Sequence, residues 1–195
     1  MNKKLGKRWI KSVAIILALI WMAIIFCMSA QPADVSGDLS GSVSYLFVQV
    51  INAVFGCGWN EIELLQLAEL WDYPIRKLAH MTEFGILALL YLWVLWNYRN
   101  KVTELCNRMN CRFVKERPHA GVSARKLGLL ALIGATIYAA TDEFHQLFVP
   151  GRAGLVTDVL IDATGAAIAL VLCGVAVAVV KKRKAVKNTR HIDYK

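Results

Sequence analysis

Four long apolar runs dominate this sequence and limit the folds that are open to it. They cover residues 10–28, 75–96, 127–148 and 157–180, and each is close to the roughly 20 residues that an α-helix needs to cross a bilayer. Hydrophobic residues make up 57% of the 195-residue chain, which is more than an ordinary soluble domain carries. The sequence therefore predicts an all-α polytopic membrane protein, with four transmembrane helices in a single domain over residues 1–180.

The segment between the first two spans, residues 29–74, has a different composition. Ser36-Gly37-Asp38 predicts a break in the helix, and the apolar run Val43 to Phe55 is too short to span. Asn60 is expected to cap a second amphipathic helix, which Pro74 should end. We expect an extracytoplasmic helical insert that lies at the interface or covers the bundle as a cap.

Basic residues are concentrated in three polar segments: the N-terminus, the 97–126 loop and the 181–195 tail. These segments hold 20 of the 23 Lys and Arg residues. The positive-inside rule then places both termini and the loop in the cytoplasm, and we expect the tail to be disordered. This topology explains the net charge of +9 without a nucleic-acid partner. The first run is also compatible with a signal peptide, although its flanking Trp9 and Trp21 favour an uncleaved helix.

Polar residues occur where three of the spans reach the outer side of the membrane. Ionisable side chains at membrane depth are costly, so they indicate a functional site. His80 and Glu83 repeat at helical spacing, as do Asp158 and Asp162, and an acidic His-containing stretch ends the third span. We predict one polar site formed by these residues: Lys77, His80, Glu83, Asp142, Glu143, His145, Gln146, Arg152, Asp158 and Asp162.

Simpler roles for the same residues remain open. Asp158 and His145 suit the helix dipole at the ends where they lie, and Lys77 can extend to the headgroups. The acids and histidines can also form a structural network that holds the helices together. We further expect Arg152 to pair with Asp158 or Asp162 across the short loop between the last two spans. The five cysteines show no spacing typical of disulfides or zinc sites.

The polar motifs resemble those of the VanZ-like membrane proteins. The first is Arg76-Lys77-x-x-His80-x-x-Glu83-Phe84, and the second is Asp142-Glu143-x-His145-Gln146-x-Phe148-x-x-x-Arg152 followed by Asp158-x-x-x-Asp162-x-x-Gly165. Ser29-x-Gln31-Pro32 fits the opening pattern, so the resemblance covers residues 9 to about 175. The founding member is associated with resistance of Gram-positive bacteria to the lipidated glycopeptide teicoplanin. The resemblance implies a role in a bacterial cell envelope, and it supplies neither a reaction nor catalytic residues.

Three functions are compatible with these residues. A binding or shielding protein would hold a lipoglycopeptide or a lipid-linked cell-wall precursor at the outer leaflet. An intramembrane enzyme would use the same acids and histidines for proton transfer or as ligands of one divalent metal ion. A small lipid transporter would need polar groups in the inner half of the spans, where the sequence has few.

Overall fold

The computed structural model describes residues 3–108 and 122–192, and within these ranges all regular structure is helical. The helices are α1 (Lys3–Ser29), α2 (Ala33–Phe55), α3 (Glu61–Asn97), α4 (Arg99–Arg108), α5 (Ala124–Gln146) and α6 (Val156–Ile192). This confirms the predicted helical membrane bundle. Five of the helices, all but α4, are long and apolar enough to cross a membrane. The number of spans, four, therefore stays a prediction.

Helix α3 lies at the centre, because it packs against α1, α2, α5 and α6. Its contact with α6 is close, since Gly165 lies against the backbone of Met81 and Gly85 lies against Ala169. Small residues at such crossings let two helix backbones approach, which is how helices associate within lipid. Phe84 is fully buried in the core beside these glycines. The close α3–α6 contact fixes the first turns of α6 against α3.

The described residues at and beside the basic segments lie at one end of the bundle. Lys11 Nζ in α1 is 5.0 Å from the ring centroid of Tyr98, just beyond the end of α3. Leu127 at the start of α5 packs with Leu95 of α3 at the same end. The end of α1, the end of α5 and the start of α6 are at the opposite end, where Lys77 of α3 meets Asp158. The polar motifs and the basic segments are thus separated by the length of the bundle.

Helix α2 and the first part of α3 form a hairpin, and here two predictions were wrong. Ser36-Gly37-Asp38 does not break the helix but lies inside α2, where the Ser40 and Ser42 hydroxyls donate to backbone carbonyls one turn earlier. Pro74 does not end a helix but lies inside α3. A proline removes one backbone hydrogen bond, and packing on both sides of it outweighs that loss.

The predicted helix start at Asn60 is confirmed. Its side chain accepts hydrogen bonds from the Ile62 and Glu63 amides, and Glu63 Oε2 accepts from the Asn60 amide. Val48 of α2 is buried against Ala68 of α3, which holds the hairpin closed. The face of α2 turned away from α3 is an exposed aliphatic stripe formed by Val35, Leu39, Val43, Leu46, Val50 and Val54.

The basic tail also differs from expectation. Residues up to Ile192 continue α6 as helix, so the predicted disorder of this part of the tail was wrong. Residues 181–192 contain neither proline nor glycine and are rich in Lys and Arg, which are good helix formers. An apolar helix that ends in such residues can continue into water without a break.

Candidate functional site

Direct bonds tie the middle of α3, the end of α5 and the start of α6 together. Lys77 Nζ of α3 forms an ion pair with Asp158 Oδ2 of α6, with 2.5 Å between the two atoms. Glu143 Oε2 of α5 accepts a hydrogen bond of 2.9 Å from the Leu155 amide, immediately before α6. Residues of three helices therefore meet at one place, and their joint role as one functional site stays a prediction.

The turn between α1 and α2 closes one side of this cluster. Gln146 Nε2 donates to Ser29 Oγ at 3.0 Å and to Asp142 Oδ2 at 3.1 Å. Arg152 Nε in the α5–α6 loop donates to the Gln31 carbonyl at 3.0 Å. The end of α1 and the start of the α1–α2 turn are therefore held against α5 and the α5–α6 loop.

The carboxyl groups lie deep in the protein. Asp162 is 1% exposed, and Asp142 and Glu143 are 3% and 5% exposed. Asp142 Oδ1 and Asp162 Oδ2 are buried and have no hydrogen-bond partner among the described residues. A buried polar atom without a partner costs about 1–3 kcal/mol, and native proteins have few of them. These two oxygens are therefore acceptors at the site that no described donor satisfies.

Both histidines at the site also keep one ring nitrogen free of hydrogen bonds. His80 Nδ1 is 3.6 Å from Glu83 Oε2, which is longer than a hydrogen bond. The two side chains are mostly buried, with 21% and 25% of their surface exposed. His145 stacks on Phe26 of α1 with 4.4 Å between ring centroids, and its Nδ1 has no partner among the described residues. The site thus combines acceptor oxygens with imidazoles that can donate or accept.

Three positive residues belong to the segments that form the site. Arg76 and Lys77 belong to α3, and Arg152 belongs to the α5–α6 loop. Burial lowers the pKa of Arg152 and the nearby charge of Arg76 lowers it further, while Asp142 and Glu143 raise it. The charges of Arg76, Asp142 and Glu143 therefore all act on the Arg152 guanidinium.

One predicted contact was wrong. Arg152 forms no ion pair with Asp158 or Asp162 among the described residues, because Asp158 is bound by Lys77 and Arg152 is bound to the Gln31 carbonyl. Lys77 lies on the neighbouring helix at the same depth as Asp158. Arg152, in the α5–α6 loop, binds Gln31 in the α1–α2 turn instead.

Three contributors were missed from the predicted site. Ser29 at the end of α1 and Gln31 in the α1–α2 turn bind site residues, and the signal that marked them was the Ser29-x-Gln31-Pro32 motif. Trp21 is the third, and its Nε1 donates to the Glu83 carbonyl at 2.9 Å. No motif marked Trp21 in the sequence, because a tryptophan within an apolar helix is common.

The donors are not arranged as a ready metal centre. Among the side chains that the structure describes, no three from His, Cys, Asp or Glu form a group that could hold a metal ion. The chemistry that these side chains offer on their own is hydrogen bonding, ion pairing and proton exchange.

The sequence model of the VanZ/LLP1 family matches residues 14–177, and this range contains the whole polar site. The chain belongs to the VanZ/LLP1 family. The predicted family resemblance is confirmed, and the apolar helices make this VanZ-family chain a multi-pass membrane protein. No curated protein and no solved structure matches the chain.

Proposed function

We propose that this VanZ-family protein binds the polar head of a lipid-tailed envelope ligand at the outer face of the cell membrane. The ligand is a lipoglycopeptide antibiotic or the lipid-linked cell-wall precursor that such an antibiotic targets. Binding of either ligand would keep the antibiotic away from the cell-wall precursor and so contribute to teicoplanin-type resistance in a Gram-positive bacterium.

The buried oxygens without partners carry this proposal. Asp142 Oδ1 and Asp162 Oδ2 can accept hydrogen bonds from the hydroxyl, amide or ammonium groups of a glycopeptide or sugar head. Lys77 and Arg152 are already bound to protein atoms, which keeps the wall of the site in one arrangement before a ligand arrives. Preorganisation of this kind lowers the entropic cost of binding.

Orientation supports an outer position for the site. Since Lys11 and Tyr98, which belong to two of the basic segments, lie at the opposite end of the bundle, the positive-inside rule turns the polar site away from the cytoplasm. A lipid-tailed drug is concentrated at that surface, because each CH₂ buried in the membrane contributes about 0.8 kcal/mol.

Packing beneath the site favours holding a ligand over carrying it through. Phe84, Leu87 and Ala88 are fully buried below Glu83, and Ala135 and Ala166 pack against the same layer. A polar head moving inward would have to displace this apolar layer. We therefore assign the site a binding role at one face of the membrane rather than a transport path.

A paired susceptibility test examines the proposal. Expression in a susceptible Gram-positive host should raise the inhibitory concentration of teicoplanin more than that of vancomycin, which lacks the lipid tail. Glu83→Ala and His145→Ala should abolish the difference at unchanged membrane abundance, checked by immunoblot. Glu104→Ala removes an exposed acid of α4 at the basic end and serves as the matched control.

Two results would count against the proposal. Equal protection against both drugs would contradict the role of the lipid tail. Full protection by both site variants would contradict the role of the polar site. Glu83→Gln separates binding from acid–base catalysis, because an amide still hydrogen-bonds a ligand but exchanges no proton. Binding predicts that Glu83→Gln keeps most of the protection.

A further inference from the structure

A pocket of about 300 Å³ opens at the end of the bundle opposite the polar site. It is bounded by Lys11 of α1, by the last residues of α3 and by the first turn of α4. Three of its lining side chains are cationic, namely Lys11, Arg99 and Lys101, and Asp and Glu are absent from the described lining. The pocket is therefore a concentration of positive charge without a carboxylate of its own to balance it.

Aromatic rings position the three cations. Lys11 Nζ is 5.0 Å from the centroid of the Tyr98 ring, and Lys101 Nζ is 5.9 Å from the centroid of the same ring. The Arg99 guanidinium carbon is 5.6 Å from the centroid of the Trp96 ring. A cation is attracted to the electrons of the ring face, which restricts a flexible side chain without removing its charge. The ammonium and guanidinium groups therefore keep hydrogen-bond donors for an anion.

No described carboxylate neutralises these charges. None of the three cations takes part in an ion pair with the residues that the structure describes. The acid of α4 that does form an ion pair, Glu104, is bound to Arg108 towards the end of that helix, away from the pocket. Like charges that line one pocket repel each other, so an anion bound between them would stabilise the arrangement.

Three apolar helices end at the level of the pocket, which places it at a membrane surface. The apolar run of α1 begins just after Lys11, and α3 ends at Asn97. Leu127 at the start of α5 packs with Leu95 near the end of α3. Helix α4 has only ten residues and is not one of the helices that are long and apolar enough to cross a membrane. Trp96 is 52% exposed beside the pocket, and exposed tryptophans are enriched at the headgroup level.

We propose that this pocket binds the phosphate of an anionic phospholipid from the leaflet at that end of the bundle, which is the cytoplasmic leaflet in the predicted orientation. Guanidinium and ammonium groups are the usual partners of phosphate oxygens. A zwitterionic headgroup fits less well, because its own cation would lie beside three others. The adjoining apolar helices offer a surface to acyl chains, which a free phosphate ion lacks. The pocket and the polar site lie at opposite ends of the bundle, so this lipid is separate from the ligand proposed above.

Binding of short-chain lipids to the purified protein tests the proposal. The protein in dodecyl maltoside is titrated with dioctanoyl phosphatidylglycerol, with the zwitterionic dioctanoyl phosphatidylcholine and with inorganic phosphate, and native mass spectrometry reports the bound fraction. Lys11→Gln, Arg99→Gln and Lys101→Gln each remove one charge from the pocket. Lys181→Gln is the matched control, because it removes one exposed charge from the basic part of α6, outside the pocket. Elution as a single peak in size-exclusion chromatography shows that each variant is folded.

The wild type should bind phosphatidylglycerol more tightly than phosphatidylcholine. Each of the three pocket variants should weaken phosphatidylglycerol binding about fivefold, as expected for loss of a partly exposed ion pair, and Lys181→Gln should bind as the wild type does. Wild-type binding by all three pocket variants would overturn the proposal, as would an equal loss in Lys181→Gln or equal binding of the two lipids. Inorganic phosphate binding as tightly as phosphatidylglycerol would overturn the lipid source.

The Tyr98 ring distinguishes a formed pocket from a general attraction of anions to a basic surface. Tyr98→Leu keeps every charge but removes the ring that lies beside Lys11 and Lys101, so it should weaken phosphatidylglycerol binding. Tyr98→Phe keeps the ring and should bind the lipid as the wild type does. Wild-type binding by Tyr98→Leu would overturn the pocket as the binding site, because the lysines would then act without the ring that positions them.

Discussion

Adding one methyl group at Gly165 should separate α6 from α3 and loosen the polar site. A Cβ at this position would overlap the backbone of Met81 in the neighbouring helix α3. The atoms it would meet are the carbonyl oxygen, the α-carbon and the carbonyl carbon of Met81. A backbone cannot rotate away as the tip of a side chain can. Relief of the overlap therefore needs a displacement of the whole α6 helix at a point one turn below Asp162.

Three glycines allow the size of this effect to be worked out. Overpacking in a tight contact costs about 1–3 kcal/mol, and an overlap with backbone belongs at the upper end. Replacing a helical glycine by alanine recovers about 1 kcal/mol of helix propensity, so Gly165→Ala should lose about 2 kcal/mol. At Gly85 the added Cβ would be 3.2 Å from the Ala169 Cβ, so the two effects nearly cancel. Gly174 has nothing within 4 Å, and Gly174→Ala should be neutral or slightly stabilising.

The order of the three variants is the measurable outcome. Purified proteins in dodecyl maltoside are heated, and the folded fraction is followed by size-exclusion chromatography. Gly165→Ala should unfold at the lowest temperature, Gly85→Ala near the wild type, and Gly174→Ala at the wild-type temperature or above it. Gly165→Ala as stable as Gly174→Ala would refute the close α3–α6 contact and, with it, the depth assigned to Asp162.

Two further predictions concern topology and the central ion pair. In a cysteine-free background, a membrane-impermeant maleimide applied to intact cells should label Asp38→Cys but not Glu104→Cys, and labelling at position 104 would contradict the predicted orientation. Reversing one charge of the ion pair, as Lys77→Asp or Asp158→Lys, should lower stability by about 1–2 kcal/mol, between the values for surface and buried pairs. The double variant should regain at least half of that loss in the same heating assay, and a double variant no better than the worse single one would show that the pair does not act as a unit.

Much of the architecture follows from properties that can be counted along the chain. The length and apolarity of the runs predicted the helical membrane bundle. The segregation of Lys and Arg predicted which helix ends lie on the same side of the bundle. The helix start at Asn60 was also predicted correctly, because a capping box depends on residues three positions apart. The predicted topology placed Lys77 and Asp158 at the same end of their spans, and the two side chains do meet there.

What the local pattern could not predict was the competition between neighbouring elements. Pro74 and the Ser36-Gly37-Asp38 stretch carry local signals for helix breaks, and packing between α2 and α3 overrode both. The choice of Lys77 over Arg152 as the partner of Asp158 depended on distances between helices. Local propensities amount to about 1 kcal/mol per residue or less outside proline, whereas a buried interface sums many contacts, so the tertiary structure decides wherever the two disagree.

The sequence by itself determined the membrane-spanning helices, the polar residues at one end and the family. These depend on composition, period and motif spacing, which are properties of the linear sequence and do not depend on how the helices are arranged. Only the tertiary structure decided that Ser29 and Gln31 close the site from the α1–α2 turn, and that Asp142 and Asp162 keep oxygens without partners. Those features depend on which side chains come within hydrogen-bond distance after α1, α5 and α6 have packed against α3. The Ser29-x-Gln31-Pro32 motif marked the residues, but their spacing does not predict a contact between positions more than a hundred residues apart.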